Sequence, residues 1–211
     1  MLGNLFKGKE KMIRVSEIFY SLQGEGARKG TPTVFIRLQG CKAKNACLAS
    51  GIQCDTEFES GKEYSLEELL TKIKTLSSEC SEITWTGGEP LDQLTEEIVM
   101  FFKNHGYFQA VETSGLHSCE LSVDFICVSP KVAEHVIQKN FSSGSVNELR
   151  YVRHKGQEIP KPSIKADHYW LSPHSDGNRI NIENLKHCID LCLQNPLWKL
   201  SVQEHKTWNI L

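Results

Sequence analysis

Cys41, Cys47 and Cys54 stand on one short segment, separated by five and six residues. Three thiolates can hold three irons of a four-iron cluster and leave the fourth open to an outside ligand, whereas four thiolates build a saturated electron carrier. Downstream comes Gly87-Gly88-Glu89-Pro90. Two glycines let a ligand approach the backbone, and the proline stiffens the exit of the turn. Two plainer readings compete for the cysteines. They could be incidental thiols, or they could bind zinc, although a structural zinc site normally takes four ligands and the paired spacings of a zinc ribbon or finger are absent.

The elements that must position these groups alternate. Val15 to Tyr20 and Thr33 to Leu38 are β-branched and aromatic and read as strands around the loop Leu22-Gln23-Gly24-Glu25-Gly26. The segment from Cys41 to Cys54 has no clear helical or strand period and reads as a loop able to wrap a cluster. Ser65, with Glu68 three residues on, predicts the start of a helix carrying Leu66, Leu69, Leu70, Ile73 and Leu76 on one face. Glu82 to Thr86 reads as a strand, Thr95 to Asn104 as a helix, and Phe108 to Glu112 and Val123 to Val128 as further strands. Leu149 to Val152, His168 to Leu171, a helix from about Ile182 to Leu193 and a strand from Trp198 to Val202 complete the order. Several strands end in polar motifs, Glu112-Thr113-Ser114-Gly115 and Ser129-Pro130-Lys131 among them. An α/β partial barrel builds an active-site face from such strand ends. About six core strands are too few for a closed eight-stranded barrel.

The 211 residues, 39% of them hydrophobic, can bury one core, and no composition shift divides them, so 1–211 reads as a single domain. A formal charge of −2, from 24 basic and 26 acidic residues, gives no source for nonspecific affinity to nucleic acid. No apolar run reaches the roughly 20 residues of a membrane span. No secretory signal precedes the eight cysteines, so a cytoplasmic chain with reduced thiols is expected. Cys80, Cys119, Cys127, Cys188 and Cys192 read mostly as small buried hydrophobes. Cys188 and Cys192 share a helix face and could bind a metal, but no partners for them are evident.

The cysteine triplet followed by a strand ending in Gly-Gly-Glu-Pro resembles the radical S-adenosylmethionine superfamily. Seven motifs, from Tyr20-Ser21-Leu22-Gln23-Gly24-Glu25-Gly26 to the ending Trp198 to Lys206, are similar to the 7-carboxy-7-deazaguanine synthase family. The others are Phe35 to Cys41, Cys54-Asp55-Thr56, Thr86 to Pro90, Glu112 to Gly115 and Ser129 to Lys131. The resemblance runs from about residue 14 to the C-terminus. It implies a shortened partial barrel, a 4Fe-4S cluster, S-adenosylmethionine and magnesium. It also implies conversion of 6-carboxytetrahydropterin to 7-carboxy-7-deazaguanine with loss of ammonia, on the route to queuosine. A homodimer and an external, flavodoxin-like electron donor are implied as well.

Carried over residue by residue, the resemblance makes Cys41, Cys47 and Cys54 the cluster ligands and Thr56 the magnesium ligand. Leu22, Gln23, Gly24 and Thr86 would meet the pterin, and Arg37 its carboxylate. His205 and Leu211, in a closing segment of about 198–211, would shut the pocket. Gly88, Ser129, Pro130, Lys131, Ser172, Pro173, His174 and Ser175 would hold S-adenosylmethionine. The chain departs from the usual spacing of three and then two residues between ligands. Gly51 stands three before Cys54, which moves Cys47 into the middle role. The turn from Ser172 to Asp176 is one residue longer than usual. A glycyl-radical activase of the same superfamily and a non-catalytic cluster- or zinc-binding module are the alternatives.

Overall fold

A computed structural model describes residues 11–49, 57–142, 144–177 and 179–210. Among these residues nine strands form one sheet: β1 (Met12–Leu22), β2 (Pro32–Leu38), β3 (Lys62–Ser65), β4 (Glu82–Gly87), β5 (Phe108–Thr113), β6 (Phe125–Val128), β7 (Val146–Arg153), β8 (Ala166–Pro173) and β9 (Lys199–Leu200). Their order is β3-β1-β2-β4-β5-β6-β7-β8-β9, with the two end strands unpaired to one another, so the barrel is partial. β1 runs antiparallel to both neighbours, while every pairing from β2 to β9 is parallel. Six parallel strands, β2 and β4 to β8, have four residues or more, and β9 adds two residues.

The helices are α1 (Lys44–Ala49), α2 (Leu66–Leu76), α3 (Glu96–Asn104), α4 (Glu134–Asn140), α5 (Ile182–Gln194) and α6 (Glu204–Trp208). α2 begins where the sequence requires. Ser65 Oγ accepts from Glu68 N at 3.2 Å, and Glu68 Oε2 accepts from Ser65 N at 2.8 Å, so two otherwise orphaned amides are satisfied. Leu69, Leu70 and Ile73 of α2 and Ile98 and Phe102 of α3 then pack with Val34, Ile36, Leu38, Ile83 and Trp85 in one core. Each fully buried large side chain of this kind contributes about 1.5–3 kcal/mol. A second core under α4 and α5 joins Val128, Ile137, Leu149, Leu171 and Cys188.

Strand alternation sends the intervening residues to the opposite, inner face. There Thr33 meets Thr84 at 3.0 Å, and Thr86, Glu112 and the pair Glu148 and Arg150 follow from β4, β5 and β7. Three helices and one strand were not legible as such: α1, α4, α6 and β3. α1 lies inside the segment read as an irregular cluster loop, which is thus partly helical. Cys80, Cys127 and Cys188 are buried and Cys119 and Cys192 partly so. Burial pushes the Cys188 thiol up to about 12, the reactivity of an inert packing residue. Among the described residues no helix is long and apolar enough to cross a membrane.

Candidate active site

A cavity of about 610 Å³ opens at the C-terminal ends of the parallel strands. Cys41 and Cys47 stand on its wall beside Gly87 and Gly88. α1 is what carries the second thiol there: Lys44 N donates to Cys41 O at 3.3 Å and Cys47 N to Ala43 O at 3.1 Å. Cys54 and Thr56 lie outside the described residues, as does Leu211.

The glycine turn is close-packed against the thiol segment. Gly88 N donates to Leu38 O at 3.0 Å and Glu89 N to Gly40 O at 3.0 Å. A Cβ at Gly88 would fall 1.8 Å from Gly40 O, so any side chain there would push away the residue before Cys41. Glu89 itself is fully buried and faces away from any ligand role. Its carboxylate accepts from Thr113 Oγ1 at 2.7 Å, from Ser114 N at 2.9 Å and from Ser114 Oγ, bolting the turn to the end of β5.

Other expected cofactor residues gather on the same cavity: Ser129, Lys131, Ser172, Pro173, His174 and Ser175 all line it. Pro130, between two of them, does not. Ser129 N is held by Thr113 O at 2.8 Å and Lys131 N by Ser114 O at 3.1 Å. Ser175 Oγ donates to Gln203 Oε1 at 2.9 Å, and His174 stacks on His154 with ring centroids 4.2 Å apart.

Among the described residues, Thr86 is the one expected substrate residue on the cavity wall. Gln23 is buried beneath it and donates to Glu112 Oε1 at 3.1 Å. Gly24 lies against the C-terminal segment, where a Cβ would fall 2.3 Å from His205 Nδ1. Leu22, at the far end of β1, is 37% exposed and lies away from the cavity. Arg37 pairs in register with Thr86, but its guanidinium stacks on Phe19, 5.2 Å from the ring centroid. Arg37 Nε is 3.3 Å from Glu17 Oε2 yet too poorly aligned to form a hydrogen bond, and it is buried without one.

Four residues, Glu25 from the loop after β1, Glu112 from β5 and Glu148 and Arg150 from β7, form the charged heart of the site. Arg150 approaches Glu112 at 2.8 Å, Glu25 at 3.6 Å and Glu148 at 3.8 Å. Burial pushes the Glu112 carboxyl up, but Arg150, Gln23 and Thr86 more than offset it and hold its pKa below the ordinary value. Burial raises the Cys127 thiol well above its usual range, and it donates to Glu148 Oε1 at 3.2 Å. Sequence reasoning passed over Glu25, Glu112 and Arg150 as site residues, although all three line the cavity. One signal was present: Glu148 and Arg150 are charged residues two apart that alternate with Leu149 and Tyr151, the pattern of a strand with a polar inner face.

An open, largely parallel sheet with thiols and a Gly-Gly-Glu-Pro turn at its strand ends is the architecture of a radical S-adenosylmethionine partial barrel. The fold is also that of a crystal structure of QueE from Escherichia coli, with a TM-score of 0.66 and 23% identity, covering 90% of this chain and 93% of that one. No family model matches. The chain is 34% identical to the 7-carboxy-7-deazaguanine synthase of Haemophilus influenzae, covering 98% of both sequences. It is 36% identical to that of Burkholderia multivorans, covering 93% of this chain and 98% of the relative. The chain belongs to the 7-carboxy-7-deazaguanine synthase family.

Proposed function

We infer that this protein is a radical S-adenosylmethionine lyase that converts 6-carboxy-5,6,7,8-tetrahydropterin to 7-carboxy-7-deazaguanine with release of ammonia, in queuosine biosynthesis. The observation that carries this reading is the convergence of Cys41, Cys47, Gly87 and Gly88 on one cavity, in a chain about one-third identical to named synthases over nearly its whole length. The donor set suits a cluster and its sulfonium partner: soft thiols on one wall, and backbone and hydroxyl groups on the others. Bound together, the cluster and S-adenosylmethionine supply one-electron cleavage of the sulfonium and hydrogen-atom abstraction from the substrate.

The residues of the chain bind, orient and shield. Cys41, Cys47 and Cys54 would hold the cluster. Gly88, Ser129, Lys131 and the segment from Ser172 to Ser175 would hold the methionyl and adenosyl parts. Arg37 would turn from Phe19 to the substrate carboxylate; its buried Nε without a hydrogen bond is a donor waiting for such an acceptor. Thr86, Gln23 and Glu112, already hydrogen-bonded to one another, would meet the polar edge of the pterin. His205, against Gly24, belongs to the segment of about 198–211 that would close the pocket. Magnesium beside Thr56, a flavodoxin-like electron donor and a homodimer complete the proposal and rest on family resemblance alone.

The test is anaerobic reconstitution with iron and sulfide. Reduced protein is then assayed with S-adenosylmethionine, magnesium and 6-carboxytetrahydropterin. 5′-Deoxyadenosine and 7-carboxy-7-deazaguanine together are expected, and Cys47→Ala should lose the four-iron spectrum and both products. Deoxyadenosine alone would overturn the substrate, and a full four-iron spectrum in the variant would overturn the ligand assignment.

A further inference from the structure

The residue after the first cluster thiol is gripped by a side chain from the far side of the glycine turn. Asp92 is only 10% exposed in its side chain. Its Oδ2 accepts from the backbone N of Lys42 at 3.1 Å. Its Oδ1 lies 2.8 Å from His117 Nε2 and 3.3 Å from Lys42 Nζ. Asp92 is itself fixed, because its N donates to Glu89 O at 3.0 Å, and Glu89 is the buried carboxylate bolted to Thr113 and Ser114. Cys41 therefore sits between two restraints. Gly40 O accepts from Glu89 N on one side, and Lys42 N is held by Asp92 on the other.

We propose that Asp92 is a positioning residue for the iron-sulfur cluster, fixing the backbone at Cys41 and holding the reduction potential down. This rests on the reading of Cys41 as a cluster ligand. Two physical effects act in the same direction. Cluster potentials follow local charge and the hydrogen bonds that reach the sulfurs. The Lys42 amide, committed to Asp92, would be unavailable to the sulfurs of a bound cluster, and a carboxylate is held against the residue next to the ligand, its charge only partly offset by the largely solvent-exposed Lys42 ammonium. Both make the added electron less welcome, which suits a centre that must reduce a sulfonium. His117, reaching across from the loop after β5, fixes the rotamer of Asp92 so that Oδ2 faces the amide.

Asp92→Asn keeps the shape and removes the charge, whereas Asp92→Ala removes the grip as well. After anaerobic reconstitution the measurements are iron and sulfide per chain, midpoint potential by spectroelectrochemical titration, and the rate of iron loss to a chelator. The asparagine variant is expected to load fully, with its reduction equilibrium favoured by roughly three- to tenfold, tenfold being about 59 mV for one electron. The alanine variant is expected to shift at least as far and to lose iron several times faster. An unchanged potential in Asp92→Asn overturns the proposal, whatever the rate of iron loss. The unsubstituted protein and Cys41→Ala separate the two readings. If the unsubstituted protein takes up no iron and sulfide, or Cys41→Ala loads as well as it does, the cluster assignment falls and the proposal with it. If only the Asp92 potential fails to move, the cluster assignment stands.

Discussion

The two ends of the inner face use charge differently. At the N-terminal ends of the strands, Arg28 lies over the Phe108 and Phe125 rings, at 4.8 and 5.8 Å from their centroids. It pairs with Glu82 and donates to Thr84 Oγ1 at 3.4 Å. A cation, its counter-ion and two rings fill that end, and the space left above them is about 10 Å³. Toward the C-terminal ends, Glu25 and Glu112 share Arg150 on the wall of a space of about 610 Å³, with Glu148, also near Arg150, buried beneath them. One end balances its charges and closes. The other holds more carboxylate than its guanidinium neutralises, next to room for a ligand. A surplus of acceptors suits the N–H groups of an aminopyrimidinone ring, and its cost is carried by the closed end and the two cores.

Arg150→Met should have the largest effect, because it leaves three carboxylates facing one another with no guanidinium between them. Removing one partner from a buried charge cluster costs about 3–5 kcal/mol. Urea denaturation should show that loss, and turnover of the folded fraction should fall by more than a hundredfold. Arg28→Met should cost less, about 1–2 kcal/mol, since Glu82 is 29% exposed and can return to water while the rings stay packed. Turnover should stay within twofold of the unsubstituted enzyme. A large loss of turnover in Arg28→Met would mean that both ends serve the substrate, and the contrast would be wrong.

How much of this was legible depended on distance along the chain. The start of α2 was, because Ser65 and Glu68 satisfy each other three residues apart. The strand ends expected at Thr86, Glu112 and Val128 were, falling within one residue of Gly87, Thr113 and Val128, because each is marked by its own turn residues. β3 was not, since Lys62–Ser65 carries no strand signal of its own and takes its form from pairing with β1. α1 was hidden because Lys44–Ala49 has no apolar period. The charge cluster joins residues 25, 112, 148 and 150, and register brings them together: Glu112 stands beside Cys127 and Cys127 beside Glu148. The Asp92 grip on Lys42 likewise spans 50 residues and leaves no local mark.

Glu112→Gln removes one charge from the open end without emptying it. The carboxylate now accepts from Arg150, Gln23 and Thr86, whereas an amide must offer one of them a donor instead. The expected loss at neutral pH is about 1 kcal/mol. Its pH dependence carries the information. In the folded protein the Glu112 pKa lies below its ordinary 4.5, so its contribution is complete above the unfolded-state pKa and is lost as pH falls through the folded one. The stability gap between native and variant protein should be full at pH 7 and close progressively below about pH 4.5, as native Glu112 takes up a proton. Urea titrations of both proteins across that range measure it. A gap that stays constant with pH would mean that Glu112 acts by shape alone, and the open end would then owe its character to Glu25 and Glu148.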